Sequence, residues 1–224
     1  IHYGSEILNQ IDGMFAFAIL DKTKNELFLA RDRAGKKPLF IYNSNNKIVF
    51  SSELNALKKS KINLVINEEA IFSYLRCGFF WNNYNVYQNV SQLLPGHFCT
   101  IDLNSLKIDV NTYFNIYEFY LMSEINNRHE AIDLLDKNLN RSIKNRLISS
   151  DLEVGTFLSG GIDSSLVTAI ASKYQNNIKT FTVKFEGAFD ESGLAKETAN
   201  RFSTDHHEIK ISMDLKNDVE KILG

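Results

Sequence analysis

Ser159, Asp163, Ser164 and Ser165 lie within one short stretch, separated by the pair Gly160-Gly161 and by Ile162. The hydroxyls can donate hydrogen bonds, and residues without a Cβ can take left-handed dihedrals and let an anion approach the backbone, so the stretch suits a phosphate. A bare phosphate would repel Asp163, so its carboxylate makes more sense as the ligand of a magnesium ion that bridges to the phosphate. No G-x-x-x-x-G-K-S/T pattern occurs and no lysine follows the glycines, which argues against a Walker-type nucleotide site. The plainer alternative is a tight turn in which Asp163 caps a helix.

The flanking elements decide where such a loop sits. Val154 to Leu158 reads as a short buried strand, and Ser164 to Tyr174 carries Leu166, Val167, Ile170 and Ala171 at helical spacing. At a strand-to-helix junction the first helical amides lack intrahelical acceptors and the macrodipole adds roughly half a positive charge, so an anion is welcome. A long helix is expected at Arg128–Ile148, with apolar positions Ala131, Leu134, Leu135, Leu139, Ile143 and Leu147. Beyond the loop helix, a strand at Thr180–Phe185, a helix at Ser192–Phe202, a strand at His207–Ile211 and a last helix from Met213 complete the pattern. Strands alternating with helices imply parallel βαβ units, whose ligand sites lie at the carboxyl ends of the strands. The phosphate loop and the end of the Thr182-Val183-Lys184 segment both occupy that position.

Upstream the pattern is β. Met14 to Leu20 reads as a buried strand, Glu26 to Ala30 as its hairpin partner, and Phe40–Tyr42 and Lys47–Ser51 as two more strands joined by Asn43–Asn46. The charged segment Arg31 to Lys37 is by default a solvated loop, the alternative being a latch at a domain interface. Short helices are expected at Glu53–Lys59 and Glu68–Cys77, the second capped by Asn67 and ended by Gly78. Leu94-Pro95-Gly96-His97 turns into a strand at Phe98–Ile101, and Leu106–Tyr113 follows. The fold class is therefore α+β followed by α/β.

The 224 residues are 44 % hydrophobic and 12 % aromatic, a packing composition. With 25 Lys and Arg against 27 Asp and Glu, the charge is too balanced to point to nucleic acid or an anionic membrane as partner. No apolar run is long enough to span a bilayer and no signal peptide is evident, so a soluble, cytoplasmic protein is expected. Cys77 and Cys99 read as small core residues, His97 as a turn or strand residue without a catalytic partner. His206 and His207 are consecutive on a strand, point to opposite faces and are not expected to share a metal. Asp190 and Glu191 read as the acidic start of the next helix, with a secondary role near magnesium left open.

Leu158 to Ser165 resembles the PP-loop of ATP pyrophosphatases, which cleave ATP to AMP and pyrophosphate while adenylating a substrate. Asp151 to Phe157, Phe189-Asp190-Glu191-Ser192 and Thr204 to Glu208 are similar to glutamine-hydrolysing asparagine synthetases. Gly13 to Leu20, Ala30 to Leu39 and Ser51-Ser52-Glu53 resemble the later part of that family's glutaminase domain. The resemblance implies residues 1–114 as a partial glutaminase of N-terminal-nucleophile sandwich fold, and 115–224 as a partial PP-loop synthetase domain with a parallel sheet. The substrates would be small molecules: glutamine or ammonia, and aspartate or another carboxylate, with ATP and Mg2+ as cofactors. Ser159, Gly160, Gly161, Ser164 and Ser165 would line the phosphate, Asp163 would hold magnesium, and the backbones of Phe157 or Leu158 and Val183 would frame the adenosine.

In that family the catalytic cysteine is the first residue of the mature protein, whereas residue 1 here is Ile, so no glutaminase residue carries over. The family's second Gly/Asp-rich segment would fall after Gly224, both ends read as cut, and the chain by itself is expected to hydrolyse no glutamine. Glu153 stands where the family commonly has proline, which is expected to loosen the strand leading into the loop. A half-sandwich exposes an unpaired edge, so self-association is expected and a homodimer is admitted. Two further readings stay open: a relative acting on another carboxylate, such as a surface-polysaccharide sugar or a β-amino acid that is cyclised, and a non-catalytic remnant or partner subunit.

Overall fold

The alternating segments between Ala16 and Ser51 form hairpins in a computed structural model of the chain, which describes residues 4–44, 46–81, 84–122, 125–185 and 190–211. The chain divides into two units, Ile1–Met122 and Ser123–Gly224. The helix expected from Met213, and Phe189 of the resembling segment, lie outside the described residues.

In the first unit, β1 (Ala16–Asp21), β2 (Glu26–Arg31), β3 (Phe40–Ser44) and β4 (Lys47–Ser51) are followed by α1 (Leu54–Lys59) and α2 (Glu68–Cys77). Then come β5 (Val90–Gln92), β6 (His97–Asp102), β7 (Ile108–Thr112) and the single turn α3 (Tyr117–Tyr120). Two antiparallel sheets result, ordered β1-β2-β6-β7 and β4-β3-β5. Leu29, Cys99 and Ile101 of the first sheet share one core cluster with Leu39, Ile41 and Leu93. A fully buried leucine contributes about 2 kcal/mol, so this shared core is what joins the sheets. Burial pushes the Cys99 thiol up to about 11, which keeps it an inert core group. Cys77 is exposed at the end of α2, so the expectation of a second core cysteine is corrected.

Met14 to Leu20 is likewise only half of what the apolar run suggests. Ile19 and Leu20 are more than half exposed, because β1 is the edge strand of its sheet and pairs with β2 alone. Asn67 caps α2 by accepting from the Ala70 amide, and Gly78 ends it in a left-handed conformation.

The charged segment after β2 is solvated only in part: Arg33, Ala34, Lys36 and Lys37 are exposed, whereas Arg31 and Asp32 face inward. Asp32 is 1 % exposed and its carboxylate accepts from the amides of Phe15 (3.3 Å), Ala34 (3.1 Å), Lys36 (2.9 Å) and Lys37 (3.0 Å). Arg31 is also buried, and its guanidinium donates to the carbonyls of Lys37, Leu93 and Gly35 at 2.6–2.8 Å. The side chains thus replace the water that a tight turn's backbone would otherwise need. Burial alone would raise the Asp32 pKa, but the four amides more than offset it and hold the carboxyl below its ordinary value.

In the second unit, α4 (Arg128–Ile148) precedes β8 (Thr156–Phe157), α5 (Ile162–Ala171), β9 (Lys179–Phe185), α6 (Ser192–Arg201) and β10 (Asp205–Ile211). The three strands form a parallel sheet ordered β10-β9-β8, in register Phe157↔Phe181 and Phe181↔His207. Asn127 caps α4, whose Leu139, Ile143 and Leu147 pack with Ile170, Ala171 and Ile178. Leu134 and Leu135, earlier on the same stripe, are exposed. A second cluster joins Leu158 to Ala195 and Ala199 of α6.

Among the described residues no helix is long and apolar enough to cross a membrane.

Candidate functional site

The loop from Leu158 to Gly161 leaves the sheet at the carboxyl end of β8 and enters α5 two residues earlier than the sequence pattern suggests. Its root is fixed. Leu158 is 1 % exposed, its amide donates to the Phe181 carbonyl at 2.9 Å, and its own carbonyl accepts from the Thr182 hydroxyl. The strand itself is shorter than Val154–Leu158, and Phe157 is 81 % exposed, which corrects the buried strand expected there. Leu158 turns inward toward α6, and the Thr156 hydroxyl meets the buried Thr168 of α5 at 3.0 Å.

Gly160 and Gly161 play different parts. Gly160 has φ +82°, and a Cβ there would lie 2.9 Å from Leu194 Cβ and 3.0 Å from the Glu191 carbonyl. A side chain would be both strained and obstructed. Gly161 has φ −71° and ψ 162°, an ordinary extended geometry, so its expected left-handed freedom is not used. It is the N-cap of α5, and among the described residues no side chain caps that helix. The amides of Ile162, Asp163 and Ser164, which have no acceptor within an α-helix, are therefore the natural donors to an outside group.

Around them, Ser159 and Ser164 are joined through their hydroxyls at 3.0 Å, and Ser164 also donates to the Gly161 carbonyl at 3.1 Å. The Ser165 hydroxyl meets Thr198 of α6 at 3.3 Å. Asp163 is exposed in the first turn of α5, and among the described residues its carboxylate has no hydrogen-bond or ion-pair partner. A hard, uncommitted carboxylate beside helix amides fits magnesium, which binds through one or two carboxylates plus phosphate oxygens.

Beside the loop a cavity of about 250 Å³ is lined by Phe157, Leu158, Ser159, Phe181, Thr182, Val183 and Glu191. The structure thus brings together Phe157, Leu158, Ser159 and Val183, with Gly160, Gly161, Asp163, Ser164 and Ser165 on the adjoining turn and helix. Of this wall the sequence reading names the Thr182-Val183-Lys184 segment but not Phe181 or Glu191. The alternation of a strand places Phe181 on the same face as Val183, and that signal was available in the sequence.

Asp190 is committed elsewhere. Its carboxylate accepts from the Ser192 amide at 3.0 Å and lies 3.4 Å from Lys184 Nζ, and the Ser192 bond, more than Lys184, lowers its pKa. The two histidines do face opposite ways: His206 Nδ1 bonds Thr180 at 2.9 Å, whereas His207 stacks on Phe181 and lies 3.2 Å from Asp205. Glu153 pairs with Lys179 at 2.7 Å, so the residue expected to loosen the strand is instead tied across the sheet.

A glycine-containing loop at the carboxyl edge of a parallel sheet, preceded in the chain by two antiparallel sheets, defines a two-part protein of mixed α and β structure. Residues 1–114 match the family described as a glutamine amidotransferase domain, and residues 134–223 match the asparagine synthase family. The chain belongs to the glutamine-hydrolysing asparagine synthetase family, which combines the two.

It is 34 % identical to asparagine synthetase (glutamine-hydrolyzing) 1 of Bacillus subtilis over 200 residues, covering 88 % of this chain and 31 % of that protein. A Methanocaldococcus jannaschii protein bearing the same family's name is 34 % identical over 209 residues, 91 % of this chain and 40 % of its own. Asparagine synthetase (glutamine-hydrolyzing) 2 of Bacillus subtilis is 31 % identical, with 83 % of this chain and 26 % of the relative covered. The chain spans between about a quarter and two-fifths of the length of these relatives.

Proposed function

We propose that the chain serves an ATP-dependent amidotransferase that makes L-asparagine from L-aspartate, ATP and glutamine-derived ammonia. Residues 1–114 contribute the glutaminase side, of N-terminal-nucleophile sandwich architecture, and residues 115–224 the synthetase side, built on a parallel PP-loop sheet. The observation that carries the proposal is the loop of 159–165 at the carboxyl edge of β8, with uncapped helix amides on one side and a cavity on the other. Membership of the family supports the acceptor, aspartate.

In this reading the adenosine lies in the cavity against the backbones of Phe157 or Leu158 and Val183. The triphosphate runs over Ser159, Gly160 and Gly161 toward Ser164 and Ser165. The aspartate side-chain carboxylate attacks the α-phosphorus, the bond to the β-phosphate oxygen breaks, and an acyl-adenylate and pyrophosphate form. Ammonia then attacks the acyl carbon and AMP leaves. The amides of Ile162, Asp163 and Ser164 face the charge that grows on the departing pyrophosphate and stabilise it as it develops. Asp163 would hold magnesium, which would supply charge neutralisation for the phosphates.

Competition calorimetry tests the division of the site. Mg-ATP binding is expected to be displaced both by AMP, through the cavity, and by pyrophosphate, through the loop. Failure of pyrophosphate to compete would remove the loop from the proposal.

A further inference from the structure

The phosphate loop does not stand on its own strand alone; it rests on the first turns of α6. Three separate contacts carry this. Gly160 sits against Glu191, Leu194 and Ala195 so closely that a Cβ would meet all three within 3.1 Å. Leu158 is packed with Ala195 and Ala199, and Ser165 reaches Thr198 at 3.3 Å. The position of α6 therefore sets the position of the loop.

The start of α6 is itself held by side chains. Glu191, its N-cap residue, makes no side-chain cap. Asp190 supplies the bond instead, accepting from the amide of Ser192, a residue only 4 % exposed, and the same carboxylate lies 3.4 Å from Lys184 at the end of β9. Lys184 and Asp190 thus link the carboxyl end of the central strand to the helix on which the loop is seated.

We propose that Lys184 and Asp190 form a positioning clamp that fixes α6 and, through it, the seat of the phosphate loop. Neither is a catalytic residue. Their action on nucleotide affinity rests on the ATP reading above, whereas their action on α6 does not.

The experiment is a double-mutant cycle on the full chain with Lys184→Met, Asp190→Asn and both together, alongside Lys184→Arg. Asparagine keeps the helix-capping oxygen while removing the charge, so Asp190→Asn isolates the pair. Each single variant is expected to weaken Mg-ATP binding by about three- to fivefold, in line with a partly exposed ion pair. The double variant is expected to lose no more than either single one, and Lys184→Arg to retain wild-type affinity. Hydrogen exchange without nucleotide is read at the Ala195 and Ser165 amides, which bond to the Glu191 and Gly161 carbonyls. It should quicken in the same variants by the same pattern.

Losses that multiply in the double variant, or exchange that is unchanged at both amides, would overturn the clamp. If the wild type binds no Mg-ATP, the nucleotide reading fails and the exchange pattern alone decides the clamp.

Discussion

Two turns in this chain converge backbone amides on one point, and they do so to opposite ends. After β2, four amides surround the carboxylate of Asp32, and the guanidinium of Arg31 satisfies three carbonyls of the same turn and its neighbour. The anion belongs to the chain and is 1 % exposed. After β8, no side chain among the described residues caps the helix amides, Asp163 is exposed, and the Ser159 and Ser164 hydroxyls bond each other. An amide cluster that contains its own carboxylate is a structural fastener. One that keeps its carboxylate outside can accept an anion from elsewhere, and that separates an element of stability from the site proposed for phosphate.

The comparison can be broken first at its stronger side. Asp32→Ala leaves four partly buried amides without their acceptor and is expected to cost about 3 kcal/mol. The chain's one tryptophan, Trp81, lies in the first unit, so its fluorescence during denaturation reports the loss directly. The pH dependence has a fixed sign. A carboxyl whose folded pKa is depressed contributes stability that is present above its unfolded value, near 4, and is lost as pH falls through the folded value. Acid unfolding of the wild-type first unit should therefore be steep below about pH 4, and Asp32→Asn should flatten that limb.

At the second turn, Gly160→Ala should cost about 2 kcal/mol, from a left-handed φ and contacts that cannot relax without moving α6. Nucleotide binding should fall with it, read by calorimetry. The smallest expected change in stability is the most pointed. Gly161→Asp places a carboxylate at the N-cap of α5, in a backbone geometry that accepts it and with Ser159 Oγ no closer than 3.4 Å. It should stabilise the helix by a few tenths of a kcal/mol, measured by thermal denaturation, while abolishing pyrophosphate competition. The open cluster would have become a filled one.

Much of this was legible in the sequence, for identifiable reasons. Helix ends carry short-range chemistry: Asn67 and Gly78 each act within a few residues, and α2 and α4 begin and end where their patterns say. The order of strands and helices around the loop was legible through periodicity alone. What depended on distant residues was not. That Arg31 and Asp32 face inward requires Phe15 and Leu93, which are far along the chain, and a charged run cannot announce them. The exposure of Ile19, Leu20 and Phe157 follows from which strands lie at a sheet's edge, a property of topology rather than of composition. The division of labour between Gly160 and Gly161 depends on where Leu194 stands, thirty-odd residues later, although the two are chemically identical.

The central claim is that the loop of 159–165 seats the phosphates of ATP with magnesium at Asp163. Isothermal titration of the full chain with ATP, with and without magnesium, against Asp163→Ala tests it most directly. Magnesium should strengthen binding to the wild type and have no effect on the variant, which should bind ATP more weakly. Equal affinities of the two proteins for Mg-ATP would contradict the assignment of Asp163 and, with it, the account of the loop.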